Sequence, residues 1–133
     1  MMAKKRILIV EDDLSVLKVT KVRLEHEGYD VITDTDGQEA LQKAVSELPI
    51  HVILLDIMLP KLNGYDVCRA LKRQPSTAEI PVIVFTASEA QQQRLGDRCV
   101  EVGAADWIKK PFDTKELLAK IHHALGEEDG FNE

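Results

Sequence analysis

The chain has 133 residues, 44% hydrophobic and 30% charged, which suits one globular domain with a single core and excludes disordered and fibrous classes. Its net charge of −6 opposes a direct grip on nucleic acid, which needs a basic footprint. No apolar run approaches the roughly 20 residues of a membrane span, and the apolar stretch behind the basic start is too short for a signal peptide, so a cytoplasmic protein without a membrane partner is expected.

In chain order, the first β-branched run, Ile7–Val10, predicts a strand that runs into Glu11-Asp12-Asp13. Asp13 opens a first helix in which Val16, Leu17, Thr20 and Leu24 share a face while Val19 and Val22 do not, and Gly28 follows it. A strand over Val31–Thr33 precedes Asp36, a helix cap with Glu39 as its capping-box partner. The stripe Ala40, Leu41, Ala44, Val45 and Leu48 makes the second helix. The run Val52–Leu55 is a third strand ending at Asp56, and Val67, Cys68 and Leu71 form a shorter helical stripe. Pro81 opens a fourth strand, Val82–Phe85, which ends at Thr86. The fourth helix reads as weak: its start, Gln91-Gln92-Gln93, is polar, and an interior Gly96 costs about 1 kcal/mol relative to Ala. Gly103 ends it, and a last strand at Trp107–Ile108 leads to Lys109-Lys110-Pro111. Asp113 and Glu116 repeat the capping-box pattern before a helix striped by Leu117, Leu118, Ile121 and Leu125. One domain over residues 1–125 is expected, with 126–133 as an acidic, solvated tail.

Strand and helix alternating five times over imply an α/β sandwich with a parallel sheet, and the near-continuous apolar runs fit strands covered on both faces. Ligands of such sheets bind at the carboxyl ends of the strands. Those ends carry Glu11, Asp12, Asp56, Thr86 and Lys110. Crowded carboxylates raise one another's pKa unless a cation intervenes, and Mg²⁺, a hard ion that prefers oxygen, is the natural neutraliser. With Lys110 as a mobile positive charge and Thr86 as a hydroxyl donor, such a rim can hold a transferring phosphoryl group, and Asp56 is the candidate nucleophile.

The motifs Ile7–Asp13, Leu54–Pro60 with Gly64, Phe85-Thr86-Ala87 and Lys110-Pro111-Phe112 occur in an order and spacing that resemble the receiver domain of bacterial two-component response regulators, CheY-like in architecture. The resemblance spans Arg6 to about Leu125. It implies a doubly wound (βα)5 fold with strand order 2-1-3-4-5, and phosphorylation of Asp56 by a sensor histidine kinase or phosphotransfer protein. It further implies Mg²⁺ held by Asp12, Asp56 and the carbonyl of Met58, with Glu11 acting directly or through water. Lys110 is implied to contact a phosphoryl oxygen across a cis bond to Pro111, and Thr86 to move toward the new phosphate. The aromatic switch position falls at Trp107, where the family more often has Tyr or Phe; inward rotation and permanent anchoring on the fourth helix both stand open. The output expected is a change in the surface of helix four, strand five and helix five, read by a target protein, an effector domain or a second copy of the chain. Met58 and Ser88 occupy positions that tune phosphate lifetime in the family, and neither is built to orient an attacking water.

Other residues are assigned bland roles. Cys68 and Cys99 lack CxxC spacing and suit a reducing core; His122 and His123, adjacent on a helix, have poor geometry for joint ligation, and His26 and His51 are isolated. A haloacid-dehalogenase-type phosphatase would want Asp-x-Asp, against Asp56-Ile57-Met58 here. A flavodoxin-like nucleotide binder would want a glycine-rich loop after strand one.

Overall fold

In the computed structural model, residues 4–87 and 94–127 are described. Five strands, β1 (Arg6–Val10), β2 (Asp30–Asp34), β3 (Val52–Asp56), β4 (Val82–Thr86) and β5 (Asp106–Lys109), alternate with helices α1 (Leu14–His26), α2 (Gly37–Ser46), α3 (Gly64–Arg73), α4 (Leu95–Val102) and α5 (Thr114–Ala124). The strands pair in parallel in the order β2-β1-β3-β4-β5, as expected.

Period-two alternation divides the core into two layers. Leu8, Val10, Ile53, Leu55, Val82 and Val84 face α2, α3 and α4, while Ile7, Ile9, Leu54, Ile83, Phe85 and Ile108 face α1 and α5. The irregular stripe of α1 behaves as read: Leu17, Thr20 and Leu24 are buried and Val19 and Val22 exposed. Thr20 tolerates burial because its hydroxyl donates to the carbonyl of Val16 at 2.7 Å.

The caps are local and follow the sequence. Asp13 Oδ1 accepts the N–H groups of Ser15 and Val16, Asp36 accepts that of Glu39, and Asp113 that of Glu116. Asn63, not anticipated, caps α3 by accepting the N–H of Asp66 at 3.0 Å. Gly28 and Gly103 take φ of 96° and 80°, the left-handed backbone that glycine adopts without a Cβ clash.

Two expectations need correction. The second-helix stripe runs too far: α2 ends at Ser46, and Val45 and Leu48 are exposed. Gly96 is the second residue of α4 rather than an interior one, so the full interior penalty does not apply. Gln91–Gln93, Ser88 and residues 128–133 of the expected tail lie outside the described residues. Among the described residues, no helix is long and apolar enough to cross a membrane.

Candidate functional site

The carboxyl ends of β1 and β3 set three carboxylates side by side. Adjacent strands in parallel register place Val10 opposite Leu55, so the residues that follow each, Glu11 and Asp56, emerge together. One oxygen each from Glu11, Asp12 and Asp56 lies within 4.8 Å of the others. Glu11 and Asp56 are buried, whereas Asp12 is exposed at the mouth. A Cβ at Gly64 would stand 2.3 Å from the carbonyl oxygen of Asp56, so the missing side chain is what lets α3 start against the end of β3.

Lys110 directly follows β5, and its bond to the next residue, Pro111, is cis. Its backbone N–H donates to the carbonyl of Thr86 at 3.0 Å, which ties the loop to β4. Its Nζ donates to Glu11 Oε1 in a short contact and to Asp56 Oδ2 at 3.2 Å. Asp56 Oδ1 accepts the N–H of Met58 at 3.2 Å, and Glu11 Oε2 accepts that of Asp13 at 3.1 Å. Burial pushes the Glu11 carboxyl up to about 7; the neighbouring Asp56 adds to the rise and Lys110 opposes it. Thr86 is fully buried at the end of β4, beside Asp56 on β3.

A cleft of about 610 Å³ opens beside the acids, lined by Asp12, Met58, Asn63, Tyr65 and Arg98 among others. Arg98 of α4 lies over the Tyr65 ring, 4.4 Å from its centroid, so α4 reaches the mouth of the site. Neither residue stood out in the sequence, because a pair made between two helices leaves no local spacing.

The residues expected at the site thus fall into two groups. Glu11, Asp12, Asp56 and Lys110 converge, Thr86 is buried at the neighbouring strand end with its carbonyl bonded to the Lys110 N–H, and Met58 joins them by its backbone while its side chain is exposed. Trp107 does not join the cluster. Its indole is 37% exposed and lies over α4, where a Cβ at Gly96 would come within 3.1 Å of Cζ2.

The donor set fits a hard divalent cation: three carboxylates within reach of one point, two of them buried where unbalanced charge is costly. A second acidic group, Asp34, Asp36 and Glu39, satisfies the same spacing. There Lys43 and Lys61 stand 3.8 and 3.7 Å from Asp34 and Asp36, and the hydrogen bond from the Glu39 N–H holds the Asp36 carboxyl below its ordinary pKa.

Residues 7–122 match the family described as the response regulator receiver domain. Response regulator ArlR of Staphylococcus aureus is 42% identical over 120 residues, which cover 90% of this chain and 52% of ArlR, so the chain spans about half the length of the curated relatives it matches. Among solved structures, a CheY-like response regulator receiver domain protein from Methanospirillum hungatei superposes with a TM-score of 0.84 at 31% identity, covering 93% of this chain and 95% of that one. The receiver domain of a sensor histidine kinase from Pseudomonas aeruginosa, with a magnesium ion coordinated in its active site cleft, gives a TM-score of 0.83 at 31% identity over 94% of this chain and all of that one.

Proposed function

The chain belongs to the response regulator receiver domain family, and from that premise we propose that Asp56 accepts a phosphoryl group with Mg²⁺ bound at Glu11, Asp12, Asp56 and the backbone of Met58. The observation that carries this reading is the convergence of Asp56 and Lys110 with two further carboxylates, drawn from positions 11, 12, 56 and 110 of the chain. A bound divalent ion would neutralise the clustered acids and the oxygens of an incoming phosphoryl group. Phosphoryl transfer asks a protein chiefly for positioning and charge stabilisation, and each side chain has such a part. Asp56 supplies the attacking oxygen, its Oδ1 already oriented by the Met58 N–H. Lys110 holds its ammonium at Oδ2, where it meets the negative charge that develops on the transferred group. Buried Thr86 supplies a hydroxyl at the neighbouring strand end.

The donor class is the phosphohistidine of a partner kinase or phosphotransfer protein. The Asp56 O–P bond forms as the P–N bond breaks, and the imidazole leaves with the bonding electron pair. The chain acts as a signalling module, and its message is read from the face formed by α4, β5 and α5, by a target protein, an effector domain or a second copy of the chain. Thr86 and Trp107 are the residues assigned to carry the change to that face.

The test is incubation with acetyl phosphate and Mg²⁺, followed by intact-mass measurement and peptide mapping. One phosphoryl group on Asp56 is expected, lost in Asp56→Asn and on removal of the metal. A wild-type protein that stays unmodified, or is modified elsewhere, overturns the reading.

A further inference from the structure

The Lys110 ammonium has a third neighbour besides the two carboxylates. Its Nζ stands 4.7 Å from the centroid of the Phe85 ring, inside the roughly 6 Å reach of a cation–π contact. Phe85 is the residue before Thr86 on β4 and is paired in register with Asp56 on β3, so its ring is placed by the strand that also places the phosphoacceptor's neighbour. Phe112, two residues beyond Lys110, meets Phe85 nearly perpendicular, with centroids 6.0 Å apart. The ring is 2% exposed, and the Lys110 side chain only 13% exposed.

A lysine ammonium is a point charge on a flexible four-carbon stem, and carboxylates alone do not fix where it rests. When the acids engage a metal and a phosphoryl group, Lys110 must exchange partners without leaving the site. An aromatic face attracts the ammonium in every one of those states, because the face is neither a metal ligand nor a phosphoryl acceptor. A leucine at 85 would fill much of the same volume and offer no such face.

We propose that Phe85 is a positioning residue for phosphoryl transfer, its ring face holding the Lys110 ammonium beside Asp56. This rests on the phosphoacceptor reading given above. The test replaces Phe85 site-specifically with mono-, di- and trifluorophenylalanine, which weaken the ring's negative face at nearly constant shape, and separately with leucine. The rate of phosphorylation by acetyl phosphate in Mg²⁺ is expected to fall stepwise with fluorination, by about three- to tenfold at the end of the series, with the melting temperature of the fluorinated proteins unchanged. Equal rates across the fluorinated series, even with a slow Phe85→Leu, overturn the proposal and leave only packing. A wild type that takes no phosphoryl group overturns the phosphoacceptor reading itself and this role with it. The contact is also read without any phosphodonor: the Lys110 ε-methylene protons are expected upfield by ring current in the wild type and at ordinary positions in Phe85→Leu. Ordinary positions in the wild type overturn the proposal.

Discussion

Strands β3 and β5 both deliver a residue to the candidate site, and they are held in different ways. Every residue of β3 is buried, from Val52 to Asp56, whereas β5 is the sheet edge and buries only Ile108. Asp56 therefore sits at the end of an element fixed on both faces and along both sides. Lys110 sits beyond an edge strand and is held by particular contacts: the Thr86 carbonyl, two carboxylates and the Phe85 ring. The proposed phosphoacceptor is thus set by the core, and the cation beside it by contacts at the sheet edge. A displacement of β5 and α4 would leave the central strands intact, as the output proposed for that face requires.

The contrast is tested most strongly by truncating one side chain on each side of it. Leu54→Ala removes a side chain from the middle of β3 and is expected to cost about 2–5 kcal/mol. Val100→Ala removes one from α4 that is 74% exposed and is expected to change stability by no more than about 0.5 kcal/mol. Urea unfolding measures both, and comparable losses would erase the distinction.

A smaller effect sharpens the acidic half. Because the Glu11 carboxyl is raised to about 7 in the fold against an ordinary 4.5, the native metal-free protein holds a proton that the unfolded chain gives up first. This contribution is complete below about pH 4.5 and is lost as pH rises through 7. The loss is on the order of 2–3 kcal/mol across that window. Unfolding free energies in EDTA should decline over this range, and Glu11→Gln should flatten the decline; an equal slope in the variant would remove Glu11 as its source.

The smallest effect lies at the edge. Gly96→Ala gains helix propensity but sets a methyl group 3.1 Å from Trp107 Cζ2, tighter than ordinary contact. The two effects oppose, so stability is expected to change by less than about 1 kcal/mol while the emission of the single tryptophan shifts to the red as the indole is lifted into solvent. Unchanged emission would mean that Trp107 is not seated on α4.

Much of this was legible in the sequence, because the features concerned are local or repeat with a fixed period. The run Val52–Leu55 announced a fully buried strand, and Asp36 with Glu39 and Asp113 with Glu116 announced helix starts that need only four residues to form. The rule that parallel sheets bind ligands at their carboxyl ends points to Glu11, Asp12, Asp56, Thr86 and Lys110 from the sequence alone. The illegible parts depend on how side chains cross between elements. Alternation puts Phe85 and Thr86 on opposite faces of β4 but does not say that the ammonium of Lys110 comes to rest over the Phe85 ring. Propensity marks Gly96 as a weakness of α4, while the indole of Trp107, eleven residues on, shows why a side chain is missing there. The apolar spacing through Val45 and Leu48 outlasts its helix because spacing alone does not register the end at Ser46.

A crystal structure determined in Mg²⁺ and beryllofluoride, a mimic of the phosphoryl group, tests the metal site and the phosphoacceptor together. One ion is expected, bonded to the carboxylates of Asp12 and Asp56 at about 2.0–2.1 Å, with the fluoride adduct on Asp56 and Lys110 against a fluorine. An ion seated instead among Asp34, Asp36 and Glu39, with Asp56 unmodified, would contradict it.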